Sequence, residues 1–283
     1  MYIQKFPFAP LSKYAIIAPK EERIRFKFII TPYHIKYYCY IFRKKGGGYV
    51  KIAGLQKMTL LDYPGKVACT VFLGGCNFRC PFCHNSQLIA GAETLMEQEE
   101  LLSFLQKRKG LLDGVCITGG EPTLQKDLPQ LLESIKALGY AVKLDTNGYR
   151  PEVLKNLLEA GFVDYVAMDV KSDPAGYAET AGLPGLELSR IEESLGLLLS
   201  GVVDYELRTT LVEPLHDEQS VLGIRDWLGA LGDGKKVKRY FLQPFVDRDT
   251  VLFGDFRAPE MEKLLKYQQI LRPCAEKVEI RGI

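Results

Sequence analysis

Residues 114–148 read GVCITGGEPTLQKDLPQLLESIKALGYAVKLDTNG, and this stretch sets the architecture. Gly114–Thr118 is a short apolar run of strand character that ends in Gly119-Gly120-Glu121-Pro122. Leu128, Leu131, Leu132, Ile135 and Leu138 then recur at helical spacing until Gly139 stops the helix. Ala141–Leu144 is a second strand, followed by Asp145-Thr146-Asn147-Gly148. A strand, a crossover helix and a second strand within so few residues make a βαβ unit, whose strands run parallel with a right-handed crossover.

The same alternation extends in both directions. Upstream, Lys66–Leu73 is a strand, and Thr94-Leu95-Met96-Glu97 reads as a capping box for a helix reaching about Arg108. Downstream, Pro151 opens a helix bearing Val153, Leu154, Leu157 and Leu158. Val163–Val170 is a strand, and Ser189-Arg190-Ile191-Glu192 caps a helix to Ser200. Strands at Val202–Leu211 and Val237–Leu242 alternate with helices over Val221–Leu231 and Leu264–Leu271. The expected class is α/β: a partial TIM-like (β/α)6 barrel of six parallel strands. No GxGxxG follows the first strand, which argues against a dinucleotide-binding sheet. In a βα barrel the chemistry sits on the loops after the C-terminal strand ends. The unusual residues fall there: a cysteine loop, Gly-Gly-Glu-Pro, Asp-Thr-Asn-Gly, Asp169-Val170-Lys171 and Gln243-Pro244.

The chain has 283 residues, 47% of them hydrophobic and 25% charged, the balance of a globular protein with a sizeable core. No uninterrupted apolar run is long enough to span a membrane. No short apolar run with a cleavage site follows Met1, so secretion is not expected. The net charge of +2 is not that of a dedicated nucleic-acid binder, but it hides an asymmetry. Residues 1–50 hold ten Lys/Arg against two Glu, a net +8; residues 51–283 hold 27 Lys/Arg against 33 Asp/Glu, a net −6. Phe, Tyr, Ile and Lys fill 27 of the first 50 positions. Phe26–Ile30 and Tyr33–Phe42 read as strands, but the segment does not read as a domain. Its composition is that of translated A/T-rich non-coding DNA, Lys44-Lys45-Gly46-Gly47-Gly48 that of a translated ribosome-binding site, and Val50 that of a GTG start. The competing reading is a basic, aromatic arm that binds a partner. The expected division is therefore 1–49, a poorly structured extension foreign to the native protein on the first reading, and 50–283, the working domain. The latter is short for an eight-stranded barrel.

Seven cysteines stand at 39, 69, 76, 80, 83, 116 and 274. Their odd number and clustering suit a reducing cytosol and metal ligation better than a disulfide framework. Cys69 and Cys116 fall within strands as small buried residues, and Cys274 has no thiol near it in sequence. The loop Gly74-Gly75-Cys76-Asn77-Phe78-Arg79-Cys80-Pro81-Phe82-Cys83-His84-Asn85 places three thiolates at x3 and x2 spacing. Three thiolates can hold three irons of a cubane that ordinarily takes four, leaving one iron open for a small ligand. A zinc site would need a fourth ligand, and His84 directly after Cys83 is a strained choice. Cys80-Pro81-Phe82-Cys83-His84 also fits the haem attachment pattern, which would leave Cys76 without a role.

Cys-x3-Cys-x2-Cys with an aromatic, Phe82, before the last cysteine resembles the radical S-adenosylmethionine superfamily, and Gly119-Gly120-Glu121-Pro122 resembles its second motif. Asp62-Tyr63-Pro64-Gly65 and the full cysteine loop resemble the activating enzymes of glycyl-radical proteins, most closely the branch serving anaerobic ribonucleoside-triphosphate reductase. The resemblance covers residues 51–283. It implies a [4Fe–4S] cluster on Cys76, Cys80 and Cys83, with S-adenosylmethionine chelated at the open iron. Reductive cleavage would give a 5′-deoxyadenosyl radical, which takes a hydrogen atom from a glycine of the partner. The implied partners are anaerobic ribonucleotide reductase and an electron donor such as flavodoxin or ferredoxin, in the cytoplasm, with no nucleic acid and no membrane. Pyruvate formate-lyase activating enzymes carry a His where this chain has Val246, which makes that identity the less expected one.

The remaining candidates follow from position. Gly119 and Gly120 permit close backbone approach to a ligand's ammonium, with Glu121 nearby. Asp145 and Asn147 can bind ribose hydroxyls, against a plain Asx turn at Asn-Gly. Asp169 and Lys171 flank Val170 and would share a face of a strand. Lys171 can pair with the ligand's carboxylate, against a rim salt bridge. Arg208 can do the same, against pairing with an Asp or Glu. Gln243 can face the adenine. His216, in a loop, is expected to be exposed and uninvolved. Two readings compete with the leading one: a radical S-adenosylmethionine enzyme acting on another substrate, and a non-catalytic zinc or iron–sulfur protein.

Overall fold

The six strands expected between Lys66 and Leu242 all form, and they lie in sequence order in one sheet. The computed structural model describes residues 25–31, 34–40, 50–89, 94–251 and 253–282. The chain divides into two units, Met1–Gly48 and Tyr49–Ile283. In the first, β1 (Arg25–Thr31) and β2 (His34–Tyr40) form an antiparallel hairpin with Thr31 opposite His34, where two strands were expected. The Lys44–Gly48 segment lies outside the described residues.

In the second unit an eight-stranded sheet contains β3 (Ile52–Thr59), β4 (Ala68–Leu73), β5 (Gly114–Gly119), β6 (Ala141–Thr146), β7 (Tyr165–Asp169), β8 (Asp204–Leu211), β9 (Val237–Pro244) and β10 (Ala275–Ile280). Neighbours in sequence are neighbours in space, and β4 to β10 are parallel. β3 pairs antiparallel with β4, and no pairing among the described residues joins β3 to β10. The barrel is partial. The two edge strands, β3 and β10, add to the six expected.

Helices follow the strands: α1 (Gln98–Lys107), α2 (Leu128–Ala137), α3 (Pro151–Glu159), α4 (Tyr177–Ala181), α5 (Leu188–Leu199), α6 (Glu218–Gly232) and α7 (Met261–Leu271). Two caps differ from expectation. The α1 capping box is formed by Glu97 and Glu100, one turn later than Thr94–Glu97. α5 starts at Leu188 without a side-chain cap, so Ser189 lies inside the helix. α4, which apolar periodicity did not mark, sits in the loop after β7.

Alternation along the strands sorts their side chains between two faces. Val115 and Ile117 of β5, Val142 and Leu144 of β6, and Val166 and Met168 of β7 join the buried leucines of α2, α3 and α5 in the main core. The opposite face looks into the barrel and is polar: Lys143 and Asp145 on β6, Asp169 on β7, Glu206 and Arg208 on β8. Its lower layer is tied together by a buried carboxylate. Glu206 is fully buried, receives two bonds from Arg281 at 2.8 and 3.0 Å, and accepts the Tyr165 hydroxyl at 3.0 Å. Arg281 also lies 3.6 Å from the Phe241 ring centroid. Among the described residues no helix is long and apolar enough to cross a membrane.

Candidate active site

The C-terminal ends of β4 to β9 open into a cavity of about 280 Å³. All thirteen candidate residues line it: Cys76, Cys80, Phe82, Cys83, Gly119, Gly120, Glu121, Asp145, Asn147, Asp169, Lys171, Arg208 and Gln243. They come from six different strand ends, which is how a parallel barrel collects distant residues in one place.

The cysteine loop is pinned from two sides. Gly120 N–H donates to Leu73 O at 2.9 Å and Glu121 N–H donates to Gly75 O at 2.7 Å. A Cβ on Gly120 would stand 2.0 Å from Gly75 O, and one on Gly119 2.3 Å from the Leu73 backbone. These glycines therefore let the β5 loop lie directly on the cysteine loop. From the other side, Arg79 N–H donates to Ala181 O at 2.9 Å, at the end of α4. The Cys80 thiol points to the same carbonyl at 3.7 Å, and Cys76 Sγ accepts from Phe78 N–H at 3.4 Å. Burial pushes the Cys76 thiol up to about 11 and the Cys80 thiol up as well, with Lys171 pulling Cys80 back down. His84 is engaged elsewhere: its Nε2 contacts Val246 O at 2.7 Å and its ring stacks on Phe245 at 5.3 Å. Phe82 is buried with Val212 and Phe245.

Glu121 is 1% exposed rather than solvated. Its Oε1 accepts from Thr123 N–H (3.1 Å), Thr123 Oγ1 (2.6 Å) and Thr146 Oγ1 (2.8 Å), and its Oε2 from Asn147 N–H (2.7 Å). Burial raises its pKa in spite of these donors. The carboxylate thus ties the β5 loop to the β6 loop. Asn147 closes the Asx turn, accepting from Tyr149 N–H at 3.0 Å, while its Nδ2 donates to Asn77 Oδ1 at 2.9 Å.

A run of alternating charges forms the cavity floor. Lys143 pairs with Asp145; Arg208 reaches Asp145 Oδ2 at 3.2 Å and Asp169 Oδ1 at 2.9 Å; Lys171 reaches Asp169 Oδ2 at 3.0 Å. Strand register sets this up, since Asp169 stands opposite Arg208. Burial works to raise the Asp169 carboxyl, but Arg208 and Lys171 outweigh it and hold it at about 2. Lys143 and Arg208 likewise overcome burial at Asp145 and keep its pKa low. Burial disfavours the charged Lys171, yet Asp169 and Cys80 drive its pKa up. The internal pairings expected as the alternatives for Lys171 and Arg208 are thus present, and both side chains still face the cavity. Lys171 and Arg208 are the two cations on the cavity lining, and they can turn toward an anionic group there.

Lys143, 2% exposed, backs this floor through Asp145 without lining the cavity, and the sequence reading passed over it. Its signal was the i, i+2 spacing to Asp145 on one strand face. The expectation of an exposed His216 is corrected: it is 1% exposed, with its ring bound between Lys171 O and the Val212 backbone. An isolated loop histidine carries no periodic signal that would reveal such burial.

The fold and site define a class, and comparison with known proteins agrees. The model of the radical SAM superfamily matches residues 70–200. A Methanocaldococcus jannaschii protein provisionally named a glycyl-radical enzyme activating enzyme is 32% identical over 238 residues, spanning 82% of this chain and 96% of its own. The pyruvate formate-lyase-activating enzyme of Clostridium pasteurianum is 36% identical over 247 residues, 80% of this chain and 98% of its own. SuiB of Streptococcus suis bound to S-adenosylmethionine shares the fold, with a TM-score of 0.57 over 74% of this chain and 48% of that chain at 14% identity. The chain is a radical S-adenosylmethionine enzyme. Within that superfamily it belongs to the glycyl-radical enzyme activating enzymes, which use a [4Fe–4S] cluster and S-adenosylmethionine. The residues present fit these groups: three thiols on one pinned loop, the Lys171 and Arg208 side chains facing the same cavity, and the Gly119-Gly120 turn on its wall.

Proposed function

We propose that this enzyme installs the glycyl radical of an anaerobic ribonucleotide reductase, with Cys76, Cys80 and Cys83 holding the cluster. When bound and reduced by one electron, the cluster and S-adenosylmethionine would supply a carbon radical able to remove hydrogen from a glycine of the partner. The chain's own residues bind, orient and keep dry. Gly119 and Gly120 bring peptide groups to the cofactor's ammonium, and Glu121 holds that loop in place. Lys171 and Arg208 supply positive charge for its carboxylate. Asp145 and Asn147 serve the ribose, and Gln243 the adenine. Phe82 shields the cluster side of the cavity from water. The observation that carries this reading is the convergence of all thirteen residues on one cavity.

The choice of reductase rests on Val246, which stands where pyruvate formate-lyase activators carry a His. Val246 offers its carbonyl to His84, and its side chain is half-exposed. The 36% identity with a pyruvate formate-lyase-activating enzyme favours a lyase as the second reading. The electron donor in either case is a flavodoxin or ferredoxin, and the setting the cytoplasm. Residues 1–49 stand outside this catalytic domain.

The test is anaerobic. Reconstituted, reduced enzyme and S-adenosylmethionine are mixed with the reductase, and separately with a pyruvate formate-lyase, and glycyl radical is read by electron paramagnetic resonance. A doublet on the reductase is expected. A doublet on the lyase alone moves the assignment to the second reading. No cleavage of S-adenosylmethionine by cluster-loaded enzyme removes both.

A further inference from the structure

β7 ends at Asp169, and the last ladder bond beyond it runs from Val170 N–H to Arg208 O at 2.8 Å. From there the chain must present Lys171 to the cavity without a neighbouring strand to hold it. Three successive carbonyls in this short segment are each met by a side chain from another element. Asp169 O accepts the Tyr177 hydroxyl of α4 at 3.4 Å, and Val170 O accepts Thr209 Oγ1 of β8 at 2.8 Å. Lys171 O accepts Nε2–H of His216, in the loop before α6, at 2.7 Å. Tyr177, Thr209 and His216 are all buried, so little water is at hand to replace them.

The protonation of the His216 ring follows from its partners. Nε2 faces a carbonyl, Lys171 O, so it carries the proton; Nδ1 lies 3.1 Å from Val212 N and 3.2 Å from Val212 O, and in the neutral ring it accepts from Val212 N–H. The ring is held to its own turn by His216 N–H donating to Val212 O at 2.8 Å. Its edge meets Phe82, the neighbour of Cys83, with centroids 6.4 Å apart. His216 therefore touches both the lysine segment and the cysteine loop, and it does not line the cavity.

We propose that His216 is a positioning residue: through the Lys171 carbonyl it sets the peptide plane, and so the ammonium position, of Lys171. This rests on the reading that Lys171 binds the carboxylate of S-adenosylmethionine. Neither ring nitrogen is available for proton transfer, so the effect falls on cofactor affinity rather than on a chemical step.

The experiment uses the full-length, cluster-reconstituted enzyme under anaerobic conditions. S-adenosylmethionine affinity, the maximal rate of its reductive cleavage and iron content are measured for His216→Ala, His216→Gln, Lys171→Ala and the double alanine variant. His216→Ala should weaken affinity about tenfold, the scale of one lost hydrogen bond to a buried carbonyl, with iron content and maximal rate little changed. Gln, whose amide can donate from the Nε2 position, should restore affinity to within about threefold. The double variant should bind no more weakly than Lys171→Ala, because one residue acts through the other. Multiplying effects, or a failure of Gln to rescue, overturn the proposal. Unchanged affinity in Lys171→Ala overturns the underlying role of Lys171 instead. If His216→Ala loses its cluster, Thr209→Val asks the same question one carbonyl earlier. A loss of affinity with intact iron supports the anchored segment, and unchanged affinity overturns it.

Discussion

Asp169 takes two cations at once, Arg208 on one oxygen and Lys171 on the other, and its acidity records that arrangement. With its pKa held at about 2, it stays ionised in the folded protein long after an aspartate in the unfolded chain has begun to take a proton near pH 4. The sign follows: the pairing contributes fully above about pH 4 and is lost as pH falls through about 2. The contribution is at most about 2 kcal/mol, reduced by the partial exposure of the rim. Asp169→Asn should therefore lower stability at neutral pH and flatten its decline from about pH 5 to about pH 3. Urea unfolding at several pH values checks this, and parallel declines for both proteins would refute it. Glu121 makes a different point about single residues. Its motif was legible as Gly-Gly-Glu-Pro, but its partners Thr123, Thr146 and Asn147 were not, because Thr146 and Asn147 lie on the next strand end. His216 was misread for the same reason: burial by residues distant in sequence leaves no local trace.

Elements built on continuous apolar runs were legible, since a parallel strand buried on both faces reads as such a run. The two edge strands were not. β3 exposes Gln56, Lys57 and Met58, and β10 reads Ala-Glu-Lys-Val-Glu-Ile, so neither shows the apolar run of a central strand. The α1 cap was shifted because Glu97 acts as cap rather than as the third residue of the box, a choice that Thr94 and Glu97 alone do not decide. At this scale the contact between the β5 loop and the cysteine loop is the most constrained. Gly120→Ala places a methyl 2.0 Å from Gly75 O, and one of the two loops must move. Cleavage of S-adenosylmethionine should fall by at least about tenfold, with strain of order 1–3 kcal/mol felt at the loop junction. Iron content and cleavage rate, measured together, separate loss of the cluster loop from loss of cofactor placement. Wild-type activity in this variant would mean that the loops are not held as close as the hydrogen bonds from Gly120 and Glu121 require.

For the whole molecule, the charge asymmetry in the sequence divides nearly where the structure does. The net +8 belongs to residues 1–50 and the net −6 to residues 51–283, while the structural units meet between Gly48 and Tyr49. Among the described residues, all eight strands of the partial barrel, all seven α-helices and all thirteen candidate residues on the cavity lie in the second unit. Its lower layer is closed from within, by Arg281 on Glu206 and by Tyr63 against Tyr165 at 6.0 Å between ring centroids. Every residue of the described core and of the cavity stands at Val50 or later, and on the reading that residues 1–49 are foreign to this domain it should fold without them. Removing residues 1–49 should leave cluster content and the rate of S-adenosylmethionine cleavage unchanged. It should also shift the melting temperature by no more than about 2–4 °C, the scale of 1 kcal/mol in a domain of this size. The same truncation tests the competing reading of the first segment. If the basic, aromatic arm serves a partner, cleavage without partner protein persists while glycyl-radical formation on the reductase falls. If it serves none, both persist. Loss of folding or of cleavage in the truncated protein would show that the barrel depends on the extension.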